Sequence, residues 1–334
     1  MPSSLQTSDT RERVSGEALA SDERLTVAVL IPCHNEAVAI ERVVSGFKAS
    51  LPYAEIYVYD NNSTDDTSAR ARAAGAIVCS EQQQGKGNVV RRMFSDVEAD
   101  VYVLVDGDAT YDATVAPMLV NKLVNESLDM VNGCRVTEIK QAYRPGHRLG
   151  NAMLTGLVAA IFGKRTKDML SGYRVFSRRF VKSFPALSRG FEIETELTVH
   201  ALELRMPIAD VETRYLDRME GSVSKLSTFK DGFRILRLIF GLIKEERPFQ
   251  FFAVLALVLA MLSVGLAIPI LAEYLNTGLV PRFPTAILSS AIMIVAILSF
   301  FAGLILDTVT HGRRELKRLV YLSHDGPTKR KPAR

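Results

Sequence analysis

Apolar and polar positions follow two regimes along this chain. In the first, short apolar runs alternate with amphipathic stretches. Val27–Ile31 predicts a buried strand stopped by Pro32, and Glu36–Ser50 carries Ile40, Val43, Val44 and Phe47 at helical spacing. Ile56–Asp60 predicts a second strand, running into the turn-forming Asn61-Asn62-Ser63-Thr64-Asp65. Thr67–Ala74 reads as a short helix closed by Gly75, and Ala76–Cys79 as a third strand. A helix should follow Gly85-Lys86-Gly87 as far as Glu98, and Val101–Val105 is a fourth strand with Asp106 at its carboxyl end. Asp129–Cys134 is a further strand, Phe191–Arg205 a helix stopped by Pro207, and Ile208–Tyr215 an edge strand. This alternation predicts an α/β fold: a mostly parallel sheet with helices on both faces.

The second regime is hydrocarbon. Phe251–Leu271 and Ala286–Leu306 are almost unbroken apolar runs without the polar stripe of a core helix. Each is long enough to cross a bilayer, which takes about 20 residues. Asn151–Phe162 is too short for that and reads as a helix packed on the domain or lying near the interface. In Phe229–Lys244 one helical face carries Lys230, Arg234, Arg237 and Lys244, apart from Phe233, Leu236, Ile239, Phe240 and Ile243, the pattern of a helix lying in the bilayer surface.

Charge orients the hairpin. Arg234, Arg237, Lys244 and Arg247 precede the first span and Arg313, Arg314, Lys317 and Arg318 follow the second, while Ala272–Thr285 between them offers only Arg282. Lys and Arg gather on the cytoplasmic side, so both soluble parts are expected in the cytoplasm. The expected organisation is a polar tail over 1–24, which has no signal-peptide character, and a catalytic domain over 25–228. A juxtamembrane helix over 229–248, a two-span inner-membrane anchor over 249–307 and a basic tail over 308–334 follow.

Among 334 residues there are three scattered cysteines and no tryptophan, and the net charge is +4. The cysteines fit a reducing compartment and no zinc pattern. The positive excess sits in the C-terminal tail with Lys329, Arg330, Lys331 and Arg334, which suits anionic lipid headgroups. No nucleic-acid-binding motif accompanies it. A small membrane hairpin also favours self-association.

Ligands of parallel sheets collect beyond the carboxyl ends of strands, and Pro32–Glu36, Asp60 and Asp106–Asp108 all lie there. Asp106 and Asp108 in one tight turn are hard oxygen ligands suited to Mg²⁺ or Mn²⁺, which keeps some waters and bridges substrate phosphates. A carboxylate at Asp60 can accept hydrogen bonds from ribose or base. An N-cap or Asx-turn role fits Asn61, Asn62 and Ser63 better than Asp60. Gly85-Lys86-Gly87 lets backbone approach a ligand and supplies a cation, but it is not a Walker loop.

Val29-Leu30-Ile31-Pro32-Cys33-His34-Asn35-Glu36, Tyr59-Asp60-Asn61-Asn62-Ser63-Thr64-Asp65 and Val105-Asp106-Gly107-Asp108 resemble the successive signatures of family 2 glycosyltransferases with the GT-A fold. Asp168-Met169-Leu170-Ser171-Gly172-Tyr173-Arg174 and Asp217-Arg218-Met219-Glu220-Gly221-Ser222-Val223-Ser224-Lys225 are similar to blocks of the polyprenyl-phosphate group, that of dolichol-phosphate mannose synthase and the bactoprenol glucosyltransferases. The resemblance runs from about Val27 to Lys225. It implies that Pro32, Asn35, Glu36, Asp60 and Lys86 hold the nucleotide sugar, and that Asp106 and Asp108 hold metal and diphosphate. It further implies that Arg135, Arg148, Arg218 and Lys225 cradle a lipid phosphate, that Ser171 and Arg174 shape the acceptor pocket, and that Asp168 positions acceptor or sugar. Two departures stand out: Asn61 replaces a common second Asp, and Ala109-Thr110-Tyr111 replaces the usual residues after the metal motif. Thr110 can still offer an oxygen.

The expected reaction moves one hexose-type sugar from a nucleotide-diphosphate sugar, UDP- or GDP-linked, to undecaprenyl or dolichyl phosphate, with inversion, for cell-envelope glycan or glycoconjugate modification. A phosphate acceptor has its second pKa near 6, so no general base is required and no histidine is nominated. An alternative is a membrane transferase extending a lipid-linked glycan through a sugar hydroxyl, with Glu194 or Glu196 as base. A non-catalytic alternative is a membrane-tethered nucleotide-binding scaffold.

Overall fold

The computed structural model describes residues 25–136, 156, 168–218, 241, 244 and 247–327. The expected polar tail, nearly all of Asn151–Phe162 and of Phe229–Lys244, and Arg148 and Lys225 lie outside them. The chain divides into two units, 1–225 with 320–334, and 226–319.

In the first unit, seven strands form one sheet: β1 (Val27–Cys33), β2 (Glu55–Asp60), β3 (Ile77–Ser80), β4 (Val101–Leu104), β5 (Met130–Val136), β6 (Arg174–Ser177) and β7 (Ile208–Arg214), in the order β3-β2-β1-β4-β6-β5-β7. All run in one direction except β6, which is antiparallel to both β4 and β5. The ends of β1, β2 and β3 are level, Cys33 opposite Asp60 and Asp60 opposite Ser80, so the loops that follow open on one edge. β6 is the strand the sequence pattern did not predict. Its four residues are buried throughout and offer no alternation to read.

Side-chain alternation sorts β1 between two cores. Val27, Val29 and Ile31 join Ile40, Val43, Val44 and Phe47 of α1 (Ile40–Ser50) and Leu119 and Leu123 of α4 (Ala116–Asn125). Ala28 and Leu30 join Met93 and Phe94 of α3 (Lys86–Asp96), Phe180 of α5 (Arg178–Ser183) and Leu197 of α6 (Ile193–Glu203). Each of these Val, Leu, Ile, Phe and Met side chains contributes about 1.5–3 kcal/mol by leaving water. α1 ends at Ser50 because Pro52 forces Leu51 out of the helical region. α2 (Thr67–Ala73) is the short helix expected between β2 and β3.

In the second unit, α7 (Pro248–Thr277) and α8 (Phe283–Leu322) are long and apolar enough to cross a membrane, and contain the expected spans. They are not core helices: only 11% and 17% of their most apolar stretches is buried. What α8 buries is Ser289, Ala296, Gly303 and Thr310, a strict seven-residue repeat of small side chains. Ala256 and Ser263 are the buried small residues of α7. Ser263 Oγ donates to the Ser289 carbonyl at 2.8 Å and Ser289 Oγ donates to that of Ser263 at 3.0 Å. With no hydrophobic effect between helices in lipid, close contact and such hydrogen bonds supply the adhesion. α8 runs past Leu306 to Leu322, so the first turns of the basic tail are helical.

Candidate active site

The edge beyond β1, β2 and β4 is laced by short polar contacts. After β1, Asn35 takes a left-handed conformation (φ 52°), and its Oδ1 accepts from the backbone of Thr64 at 2.8 Å. Its own N–H donates to Ser63 Oγ, and the Glu36 N–H donates to Thr67 Oγ1. Asp60 accepts from the Ser63 N–H at 2.9 Å and from Ser68 Oγ at 2.5 Å. The turn-capping role expected of its neighbours therefore falls to Asp60 itself.

Asn61 has another task. Its amide donates to the carbonyls of Glu81 and Gln83, both at 2.9 Å, and its Oδ1 accepts from Gly85 N–H at 2.7 Å. Only an amide can both donate and accept here, so the departure from Asp fixes the segment that leads into Lys86. Gly85 has φ 129°, and a Cβ there would meet the Arg189 carbonyl at 2.2 Å.

The turn after β4 carries the paired aspartates. Asp108 is buried; its Oδ1 accepts from Thr110 Oγ1 at 2.6 Å and its Oδ2 lies 2.7 Å from Arg218 Nη2. Thr110 thus serves the aspartate, with Ala109 held at φ 58° between them. Asp106 accepts from Lys86 Nζ, which also donates to Glu194. Burial opposes the Lys86 charge, but the two carboxylates beside it outweigh that and hold its ammonium above the ordinary lysine range. Burial also raises Glu194, with Lys86 working the other way.

Tyr111 ties three sequence blocks together. Its hydroxyl accepts from Gly172 N–H at 2.8 Å, its ring packs on Tyr173 and Tyr215, and it bridges to Tyr215 through the backbone. Beside it, Arg135 at the end of β5 grips Asp168 with two nitrogens at 2.8 and 2.9 Å and lies over the Tyr215 ring. Ser171 Oγ donates to the Gly133 carbonyl. Arg174 is wholly buried, donating to the carbonyls of Ser171 and Met169 and to Thr198 Oγ1. It braces the 168–171 turn from behind. His200 is packed between Phe180 and Phe184, consistent with a structural role.

The structure thus gathers Asp60, Lys86, Asp106, Asp108, Arg135, Asp168, Ser171 and Arg218 at the strand ends on one side of the sheet. Sequence reasoning missed Tyr111, whose signal was an aromatic directly after the acidic turn, and the Glu194–Lys86 contact, which joins residues 108 positions apart. As a metal site the donor set is two carboxylates on one turn. Among the described residues no three His, Cys, Asp or Glu side chains form a cage. That fits a hard cation taking its remaining oxygens from water and a bound diphosphate.

A mostly parallel sheet of this kind, with an acidic turn beyond a central strand, matches the GT-A fold. The chain belongs to glycosyl transferase family 2, whose profile matches residues 28–184. It is 31% identical to glycosyltransferase AglJ of Haloferax volcanii over 300 residues, 88% of this chain and 97% of that one. It is 28% identical to a dolichyl-phosphate hexose transferase of the same organism, over 66% of this chain and 95% of the relative. Among solved structures it is similar to glucosyl-3-phosphoglycerate synthase of Mycobacterium tuberculosis in complex with Mn²⁺, UDP and glucosyl-3-phosphoglycerate. That similarity has a TM-score of 0.56 and 25% identity, and covers 69% of this chain and 82% of the neighbour.

Proposed function

We propose that this protein transfers one hexose-type sugar from a nucleotide-diphosphate sugar to a polyprenyl phosphate at the cytoplasmic face of the membrane. The product is a polyprenyl-monophosphate sugar. One observation carries this reading: Arg218, from the block expected to hold the lipid phosphate, lies 2.7 Å from Asp108 of the acidic turn. A phosphate bound by Arg218 and Arg135 would therefore lie beside the donor's diphosphate. The relative named a dolichyl-phosphate hexose transferase and the two long apolar helices support the acceptor class.

The acceptor phosphate, largely dianionic at neutral pH, is its own nucleophile. Arginines suit it because a guanidinium grips phosphate oxygens bidentately. The protein's task is alignment of that oxygen with the anomeric carbon, opposite the departing nucleotide. Lys86 would neutralise charge gathering on that leaving group. Asp106 and Asp108 would hold Mg²⁺ or Mn²⁺, which supplies further charge neutralisation at the diphosphate. Direct displacement inverts the anomeric centre.

The geometry gives no support to attack by a sugar hydroxyl. Glu194 is committed to Lys86, and Glu196 accepts from the backbone N–H groups of Leu187 and Ser188 at 2.8 Å each. Neither stands ready as a base. The test is a panel of labelled nucleotide sugars given to membranes holding the protein, with polyprenyl phosphate and Mg²⁺ or Mn²⁺. One sugar per lipid should move into organic solvent. Label in polymer, or no lipid product from any donor, overturns the reading.

A further inference from the structure

We propose that Glu194 is a positioning residue for the donor's diphosphate, acting through Lys86. The inference rests on the reading of Lys86 as a nucleotide-sugar contact and adds a residue that reading did not assign. Lys86 opens α3, and its ammonium lies 2.5 Å from both Glu194 Oε1 and Asp106 Oδ1. An ammonium has three N–H donors on a flexible four-carbon stem. Two carboxylates take two of them, Glu194 from the buried side and Asp106 from the exposed side, and leave the third for a ligand. Of the three side chains, that of Asp106 is 30% exposed, against 10% for Lys86 and 8% for Glu194. The triad therefore opens on the side of the acidic turn, where a diphosphate would lie.

Stability gives Glu194 little reason to be there. It is buried on α6, and its Oε2 has no hydrogen-bond partner among the described residues. A buried carboxylate satisfied through one oxygen is a poor stabiliser, and exceptions of that kind collect at functional sites. The backbone around Lys86 is held through the same helix. Glu196 fixes the 187–188 turn, and the next carbonyl, that of Arg189, accepts from Gly87 N–H at 3.1 Å. A Cβ on Gly87 would meet the Ser188 carbonyl at 2.1 Å, so the two segments are in close contact. α6 thus sets Lys86 twice, its main chain through Glu196 and its ammonium through Glu194. Asp106 alone could not do this, because a carboxylate that turns to a bound ligand gives up its hold on the lysine.

The experiment compares UDP with UMP, and GDP with GMP, by calorimetric titration of the full-length protein in detergent without added metal. The difference within each pair isolates the β-phosphate. Wild type should prefer the diphosphate of one base. Glu194→Gln should cut that preference about tenfold, as a lost charge-assisted hydrogen bond does, and leave monophosphate affinity unchanged. In a Lys86→Gln background the same substitution should change nothing further. Glu194→Asp, which keeps the charge but draws back the carboxylate, serves if Glu194→Gln does not fold; it should also lower the preference. An unchanged preference in the folded variant, or an equal loss with and without Lys86, overturns the proposal. If wild type shows no diphosphate preference, the donor reading itself has failed.

Discussion

At the residue scale, Asp108 divides its two oxygens between Thr110 and Arg218. Replacing it with Asn removes the charge while keeping the shape and the Thr110 contact. Transfer should fall by about two orders of magnitude, as when preorganised charge stabilisation is lost, while the melting profile stays close to wild type. Labelled-donor turnover and a thermal melt on one preparation check this; retained turnover removes Asp108 from the reaction. Asp168 gives a prediction in pH. Burial works against its ionisation, but Arg135 and the backbone N–H groups of Arg135 and Leu170 outweigh burial and hold its carboxyl below the ordinary range. The folded value is then below the unfolded one of about 3.9, so the stabilisation is complete above that pH and is lost as pH falls through the folded value. The stability gap between wild type and Asp168→Asn should be widest near neutrality and close on acidification. A gap that stays constant would place the stabilisation elsewhere.

At the element scale, the turn into β6 closes directly on the acidic turn after β4. A Cβ on Gly172 would sit 2.2 Å from Asp106 Oδ2, so Gly172→Ala must displace that carboxylate. A misplacement of about 1 Å can cost some 100-fold in rate, and we expect that loss in kcat with the global fold retained. Full activity in the alanine variant would mean that the Asp106 position is not critical. This element also marks the limit of what the sequence made legible. β1, β2 and β4 were readable because apolar runs end in turn residues, and the chemistry at their ends came with them. β6 was not, since four buried residues carry no period. Asn61 reads in the sequence only as a turn residue departing from the usual Asp, because its three hydrogen bonds to the 81–85 segment are set by tertiary contact. Glu194 reads in the sequence only as an alternative base, because only the fold brings α6 to Lys86.

At the scale of the whole molecule, the first unit is built from two stretches of sequence, 1–225 and 320–334. Tyr321, just after the second unit ends, returns to the first, donating to Asp129 Oδ2 at 2.8 Å beneath the guanidinium of Arg179. Asp129 precedes β5, so this contact lies on the opposite side of the sheet from the acidic turn. The distribution of Arg and Lys around α7 and α8 predicts that both ends face the cytoplasm. Protease added to inside-out membrane vesicles should digest the catalytic unit, and protease added to right-side-out vesicles should spare it. The reverse pattern would overturn the orientation.

The reversed strand has a wider consequence. Because β6 runs against its neighbours, it begins at the sheet end where the acidic turn follows β4, and the 168–173 turn reaches Arg135 there without interrupting the run from β1 to β4. Under the proposed function, changes confined to residues 137–173 would alter the recipient while the β1 to β4 run stays intact.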